Sequence, residues 1–307
     1  MDELDRLGLL RDSGGALCVF PAGFTGREGE PLPIIVRKSD GGFGYGATDL
    51  AAIRYRTQEL HADRMLYVVG LPQRQHLEMV FQTAREAGWL GAEARAEHVG
   101  FGSVLGTDGR MLRSRAGDTV KLIELLDEAV TRARALVDAK APDLDEAVKA
   151  DIANAVGVGA VKYADLSIDR VKDYVFDFDR MLSFEGNTAP YLQYARARIM
   201  SIFRKDGSEL PETVETVVVA APAERALALE LLAFPAVVSE VAETLEFHKL
   251  AGYLFTLAGA FTAFYEHCPV LRAAGDVRAS RLVLCDVTAR TMALGLSFLG
   301  IPSPDHL

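Results

Sequence analysis

The stretch Met65-Leu66-Tyr67-Val68-Val69-Gly70-Leu71-Pro72-Gln73-Arg74-Gln75-His76 carries the clearest signal of the fold. Its first five residues form a continuous apolar run, which is typical of a strand buried on both faces of a sheet. A turn follows, and residues 75–88 have the pattern of a helix. The sequence therefore predicts a strand–turn–helix unit of an α/β domain, in which ligands bind at the carboxyl ends of the strands.

Further strand and helix signals lie on both sides of this unit. Residues 16–20 and 32–36 are predicted to be short strands, residues 49–60 a helix, and residues 99–105 a glycine-interrupted strand. The alternating order of strands and helices indicates a parallel sheet covered by helices.

The pattern becomes helical after residue 120. A long amphipathic helix is predicted at 120–139, and Pro142 follows it. Glycine and proline residues separate the remaining predicted helices, which cover 143–156, 168–182, 188–204, 222–233, 235–266 and 276–298. We therefore predict an α/β domain at 1–140 followed by an all-α bundle at 141–307.

Composition restricts the class of protein. The 307 residues are half hydrophobic and one quarter charged, which suits two folded domains. The longest apolar stretch, 250–265, is shorter than a membrane span, so no membrane association is expected. The acidic first residues contain no basic region, so we expect no signal peptide and a cytoplasmic location. The three cysteines are scattered, so no metal site is expected.

The net charge of −10 favours a small-molecule enzyme over a nucleic-acid-binding protein, because phosphate contacts require Lys and Arg. A local basic surface remains compatible with an acidic chain.

Three glycine-containing segments of the first domain suggest ligand contacts. In the segment 38–50, Tyr45 and Asp49 lie four residues apart at a helix start, where a phenol and a carboxylate suit a guanidinium group. The alternative is a helix-terminal charge beside a half-buried aromatic ring. Gln73 and His76 follow the buried strand, and an isolated histidine at this place is often structural.

The third segment combines a glycine-rich strand with a basic loop. Three arginines, Arg110, Arg113 and Arg115, follow the strand within six residues. Such a cluster suits a polyphosphate, on which charge develops during nucleotidyl transfer. The alternative is a solvated basic turn.

The helical half interleaves aromatic residues with arginines. Tyr191 and Tyr194 lie at a predicted helix start, and Arg196 and Arg198 follow them. This combination suits stacking on unpaired bases with neutralisation of nearby phosphates. Ordinary packing within the bundle is the alternative.

Together these segments resemble the arginyl-tRNA synthetases. The segment 38–50 is similar to the KSDGGxxYxTxD stretch of that family, 73–76 to its QxxH, and 100–109 to its GFGxVLGxDG. Met111-Leu112-Arg113-Ser114-Arg115 stands where the family has KMSKS, in a degenerate form. The helical half resembles the family's anticodon-binding domain. The resemblance implies the C-terminal half of a Rossmann-type class I catalytic domain and an anticodon-binding bundle.

The resemblance also implies roles for individual residues, with ATP, Mg²⁺, L-arginine and tRNA(Arg) as cofactors and substrates. The arginine-binding residues would be Tyr45, Asp49 and Gln73. The ATP-binding residues would be His76, His98, Gly100, Gly102, Val104, Arg110 and Ser114, and the catalytic residues Arg113 and Arg115. The anticodon-binding residues would be Tyr191, Tyr194, Arg198, Tyr265 and Leu307, with Arg281 as a weaker candidate.

The HxGH motif of class I synthetases does not occur in the sequence, because no two of the six histidines have that spacing. The resemblance therefore implies an arginine–tRNA ligase that is a partial chain and inactive alone. The alternatives are one half of a split enzyme, which requires a partner chain, and a non-catalytic tRNA-binding paralogue. A monomer or a weak dimer is expected.

Overall fold

The computed structural model describes residues 1–112, 121–207 and 216–307. Its backbone packing divides the chain into two compact units, Met1–Gly102 and Ser103–Leu307. The domain division near residue 140 stays a prediction.

The first unit begins with helix α1, Asp2–Arg6, and a three-stranded antiparallel sheet. Its strands are β1, Leu10–Ser13, β2, Ala16–Val19, and β3, Ile34–Arg37. The strands predicted at 16–20 and 32–36 are thus present, but they pair antiparallel because no crossover helix lies between them. Strand β1 was not predicted, since three of its four residues are exposed and no apolar alternation marks it.

A strand–helix–strand unit completes the first unit. Helix α2, Tyr45–Gln58, precedes strand β4, Arg64–Gly70, and a 3₁₀ turn, Leu71–Gln73. Helix α3, Arg74–Glu86, then leads to strand β5, Arg95–Phe101, which pairs parallel with β4. The predicted parallel pairing is confirmed here, and the buried side chains of α3 join those of α2 and β3 in one core.

The second unit opens with a short strand, β6, Val104–Leu105, which pairs parallel with β7, Tyr174–Val175. Helices α4, Leu122–Lys140, and α5, Glu146–Leu166, lie between these strands in the sequence and pack against each other. The helix predicted at 168–182 is wrong. Residues 174–175 pair with β6 instead, and helix α6 extends only over Phe178–Met181, where the Asp177 carboxylate caps its first turn.

Four long helices form the rest of the second unit: α7, Ala189–Asp206, α8, Pro222–Thr244, α9, Phe247–His267, and α10, Gly275–Phe298. Leu192 of α7 and Leu254 of α9 are fully buried in the core that these helices share. The predicted interruption at Pro235 is wrong, because α8 continues through this residue. The helix ends instead at Leu245, whose φ of 57° lies in the left-handed region.

The segment after α10 folds back onto α5 and α7. Lys162 Nζ of α5 donates to Gly300 O at 2.7 Å, and Gln193 Nε2 of α7 donates to Pro302 O at 2.7 Å. Arg196 Nη1 donates to Ser303 O at 2.6 Å. These bonds fix the segment to the bundle.

In the three described ranges, none of the helices combines the length and the apolar character that crossing a bilayer requires.

Candidate functional site

The predicted guanidinium-binding pair lies at the start of α2. Gly46 allows this helix to begin directly against β3, because a Cβ at Gly46 would lie 2.4 Å from Ile34 Cγ2 and 3.0 Å from Ile35 O. Tyr45, the first residue of the helix, is 87% exposed. The first turn of α2 therefore presents a phenol to solvent from a firmly packed backbone.

Asp49 lies one turn further along α2 and contacts a residue of α3. Its Oδ2 atom is 2.6 Å from Nε2 of His76, and the two side chains are 35% and 31% exposed. Among the described residues, Oδ1 of Asp49 has no hydrogen-bond partner, so one carboxylate oxygen is open to a ligand. The sequence did not predict this contact.

Gln73 lies at the carboxyl end of β4. It ends the 3₁₀ turn and is exposed. The register of the parallel pair places Gly70 beside Phe101, so β4 and β5 end at the same edge of the sheet. This edge therefore carries Gln73 together with Gly102, which follows β5.

His98 and Gly100 lie within β5. Nε2 of His98 is 2.8 Å from Val69 O of β4, so the ring is bonded to the neighbouring strand. Its Nδ1 atom is buried, and no partner for it occurs in the part of the chain that the structure describes. Gly100 is buried.

The other residues predicted to bind ATP belong to the second unit. Val104 lies in β6, and a tight turn follows, in which Gly106 N donates to Arg110 O at 2.8 Å. Leu112 N donates back to Val104 O at 3.1 Å. Arg110 is exposed on this turn. The predicted residues Arg113, Ser114 and Arg115 lie outside the described residues.

A hydrogen bond between the side chains of Asp165 and Tyr174 links helix α5 to strand β7 near β6. Burial raises the pKa of Asp165, and a hydrogen bond with the Tyr174 side chain acts in the opposite direction. Burial also raises the pKa of the Tyr174 hydroxyl. The pair holds the short β7 strand on α5.

The predicted RNA-contacting residues Tyr191, Tyr194 and Arg198 share one face of α7, since they are three and four residues apart. Tyr194 is 45% exposed. Tyr191 is partly buried, with its ring centroid 5.6 Å from that of Phe255. Tyr194 is thus the better placed of the two tyrosines for stacking on a ligand.

Arg198 connects this face to α9. Its guanidinium carbon lies 4.1 Å from the ring centroid of Tyr265. Arg281, in contrast, forms a buried ion pair with Glu224 at 2.6 Å, so its charge is already neutralised. Leu307 packs against the core between α4 and α5.

Two residues beside Tyr194 were missed by the sequence reasoning. Nζ of Lys140, the last residue of α4, lies 3.6 Å from the ring centroid of Phe184 and 6.0 Å from that of Tyr194. The two rings meet edge to face, with centroids 6.3 Å apart. No spacing signal predicts this cluster, because its members come from separate segments.

Comparison with known families gives two matches. A family model described as tRNA synthetases class I (R), catalytic domain, matches residues 1–178. A second, described as DALR anticodon binding domain, matches residues 192–307. The two matches confirm the predicted fold class.

Curated relatives match over the whole chain. The arginine–tRNA ligase of Thermobifida fusca is 59% identical over 307 residues, which are 100% of this chain and 53% of the relative. That of Frankia casuarinae is 55% identical over 100% of this chain and 52% of the relative. The chain therefore spans about half the length of the curated relatives it matches.

Solved structures agree in fold. The arginyl-tRNA synthetase of Plasmodium falciparum superposes with a TM-score of 0.87 at 33% identity, covering 100% of this chain and 51% of that one. The Thermus thermophilus arginyl-tRNA synthetase gives 0.86 at 30% identity, covering 100% and 57%. Since the catalytic-domain model alone covers more than half of the residues, the chain belongs to the arginyl family of class I tRNA synthetases.

Proposed function

We propose that this chain supplies the arginine-binding portion and the anticodon-binding domain of an arginine–tRNA ligase. The exposed Tyr45 and the half-open carboxylate of Asp49, one turn apart on α2, carry the proposal. A planar guanidinium can donate hydrogen bonds to a carboxylate oxygen and lie against a phenol ring at the same time. The names of the relatives support the same substrate.

The proposed reaction has two steps. The carboxylate of arginine attacks the α-phosphate of ATP, which forms arginyl-adenylate and releases pyrophosphate. A terminal ribose hydroxyl of the tRNA then attacks the arginyl carbonyl, which forms the ester and releases AMP. Positioning and charge stabilisation provide most of the acceleration in such a reaction.

Gln73 and the glycine-containing end of β5 support the first step. Gln73 lies at the carboxyl edge of the parallel strands, where ligands of α/β sheets bind. We assign it to the amino acid. His98 and Gly100 of β5, Gly102 after it, and Val104 and Arg110 are assigned to ATP on the family resemblance.

Arg113, Ser114 and Arg115 are assigned to the phosphates of ATP on the family resemblance alone. Among the described residues, no group of three or more His, Cys, Asp or Glu side chains is placed to hold a metal ion. We propose that Mg²⁺ accompanies ATP, because phosphate oxygens are ligands that Mg²⁺ prefers.

The helical bundle is assigned to tRNA(Arg). Tyr194 supplies exposed aromatic surface, and Arg198, which lies over the Tyr265 ring, supplies positive charge. The assignment also includes Tyr191, Tyr265 and Leu307, which are partly buried. Since tRNA is charged where proteins are made, the proposed location is the cytoplasm.

The test is ATP–pyrophosphate exchange with the purified chain, alone and together with the N-terminal half of the Thermobifida fusca relative. We expect no exchange from the chain alone, and exchange that depends on arginine and tRNA once the added half is present. Binding of tRNA(Arg) is measured in parallel by fluorescence anisotropy.

Two outcomes would count against the proposal. Absence of exchange with the added half, although the two polypeptides associate and tRNA binds, would identify a non-catalytic tRNA-binding protein. Failure to bind tRNA(Arg) would remove the assignment of the helical bundle.

A further inference from the structure

Helix α8 carries apolar side chains on two opposite faces. On its inner face, Leu227 is fully buried and Val241 is 6% exposed in the core of the bundle. On its outer face, Leu229 and Leu232 are 50% and 76% exposed, and in the described part of the second unit no other large apolar side chain is as exposed as Leu232. A helix that is apolar all round is normally covered all round, so the exposed outer face indicates a contact with another molecule.

The outer face has the residue spacing of a contact between two helices. Its exposed residues recur at alternating steps of three and four, which is the spacing of a seam between packed helices. We call the following residues the α8 seam: Arg225, Leu229, Leu232, Ala236, Ser239 and Glu243. Ala226 and Ala233 flank the seam, and their small side chains allow a second helix to approach closely.

Opposite charges lie at the two ends of this face. Arg225 is near the start of α8, whereas Glu240 and Glu243 are near its end. Among the described residues, Arg225 has no acidic partner, and Lys249 Nζ contacts only Oε1 of Glu240, so Oε2 of Glu240 is open to a further cation. The outer face therefore has one positive and one negative end.

A second copy of the chain fits this face when the two helices run antiparallel. In a two-fold arrangement centred near residue 234, Leu232 of each copy lies opposite Ala236 of the other, and Arg225 lies opposite the end with Glu240 and Glu243. Large side chains then meet small ones, and opposite charges meet at both ends. A parallel pair would bring identical residues together and would place Arg225 against Arg225.

We propose that α8 packs antiparallel against α8 of a second copy of this chain, so that the α8 seam is a homodimer interface. The inference goes beyond the proposed function and does not depend on it. One pair of 23-residue helices buries less than the roughly 1,200 Å² that a stable interface requires. The dimer should therefore be transient and should form only at high protein concentration.

The experiment is sedimentation-velocity ultracentrifugation of the full 307-residue chain between about 1 μM and 1 mM, a range that covers weak association. The variants are Leu232→Glu, Arg225→Glu, and Arg225→Glu combined with Glu240→Lys. Leu122→Glu is the matched control, because this leucine of α4 is 65% exposed and lies outside the α8 seam. Circular dichroism checks that each variant retains its helices.

We expect the original chain and Leu122→Glu to associate equally. Leu232→Glu should weaken association tenfold or more, because it places a charge at the apolar centre of the interface. Arg225→Glu should weaken it about fivefold at low salt, since acidic side chains would then face each other at both ends. Glu240→Lys in the same chain should restore part of the affinity, because opposite charges meet again.

A chain that stays monomeric at about 1 mM would overturn the proposal. A dimer that Leu232→Glu leaves intact would also overturn it, because the interface would then lie elsewhere. A dimer that Arg225→Glu leaves unchanged at low salt would contradict the antiparallel arrangement, since a parallel pair would only exchange one contact between like charges for another.

The measurement is repeated with the N-terminal half of the Thermobifida fusca relative. If that half binds the chain and prevents dimerisation, and if Leu232→Glu abolishes its binding, this half covers the face and the proposal of a second copy fails. Binding of tRNA(Arg) is measured separately. Its absence would count against the proposed function and would leave the result on dimerisation unchanged.

Discussion

Nε2 of His76 on α3 lies 2.6 Å from Oδ2 of Asp49 on α2, so the carboxylate assigned to the arginine side chain is held by a second helix. The contact leaves Oδ1 without a partner among the described residues. Because a carboxylate that is fixed in advance loses less side-chain freedom on binding, the pair should favour recognition of a guanidinium group.

Replacement of Asp49 by Asn tests the guanidinium assignment. Loss of one partner of a hydrogen-bonded charge pair lowers affinity by about 100-fold. We therefore expect kcat/KM for arginine to fall by about 100-fold when exchange is measured with the N-terminal half of the relative present. Glu59→Gln, an exposed carboxylate just after α2, is the control and should have no effect. An unchanged KM for arginine in the Asp49→Asn variant would contradict the assignment.

Replacement of His76 distinguishes its observed contact from the ATP-binding role that the family resemblance implies. If His76 positions Asp49, His76→Ala should raise the KM for arginine about tenfold with little change in kcat. His76→Asn, which retains a donor, should recover part of the loss. A rise in the KM for ATP, with the KM for arginine unchanged, would support the ATP role instead.

Gly157 of α5 allows this helix to approach α4 closely. A Cβ at this position would lie 2.7 Å from Cα and N of Val130. Because these neighbours are backbone atoms, we expect Gly157→Ala to lower the free energy of unfolding by about 2 kcal/mol. Urea denaturation followed by circular dichroism measures the change.

The control for that substitution is Gly252→Ala on α9. Among the described residues, no atom outside the neighbouring backbone of α9 lies within 4 Å of the position that a Cβ would take there. Helix propensity should therefore raise the stability of this variant by up to about 1 kcal/mol. Equal changes in the two variants would show that the α4–α5 contact is looser than the structure indicates.

The buried pair of Glu224 and Arg281 makes the stability of the bundle depend on pH. Burial of Glu224 opposes its charged form, but hydrogen bonds from Ala221 N, Arg281 and Ala220 N outweigh burial and lower its pKa below 4.5. The ionised group therefore contributes its full stabilisation above pH 4.5, and the contribution is lost as the pH falls through the lower pKa of the folded state.

Glu224→Gln should reduce the free energy of unfolding at neutral pH by about 3 kcal/mol, because it leaves Arg281 buried without a counter-charge. The variant should also lose part of the acid sensitivity below pH 4.5. Urea denaturation at a series of pH values measures both effects. Identical pH profiles for the variant and the original chain would contradict this account.

The sequence predicted those elements whose signals are local. The apolar run of β4 and the periodicity of α3 were sufficient for the parallel unit, but the predicted burial of β4 on both faces is wrong, because Leu66 and Val68 are exposed. Thr188, which caps α7, and Gly207, which ends it with a φ of 64°, fixed the limits of that helix to within two residues. The helix predicted at 168–182 was wrong because strand pairing with β6 outweighed the local helix preference. The helix end predicted at Pro235 was wrong because the packing of α8 continues past this residue.

The site residues stay predictions, and the sequence did not predict the contacts between them. Tyr45 and Asp49 share a helix face, so their spacing indicated a pair. His76 lies 27 residues from Asp49 in the sequence, and only the packing of α2 and α3 brings the two together. The same holds for Lys140 and Tyr194, whose proximity depends on where α4 ends.

The β6–β7 pairing has a consequence for biosynthesis. Ser103 N donates to Asp173 Oδ1 across 70 residues, so β6 leaves the ribosome well before its partner strand exists. At about 5–20 residues per second, the delay is roughly 4–14 s. During this interval β6 has no partner strand with which to pair. Slow or paused translation between α4 and β7 should therefore prolong the period in which the nascent chain is sensitive to proteases and in need of chaperones.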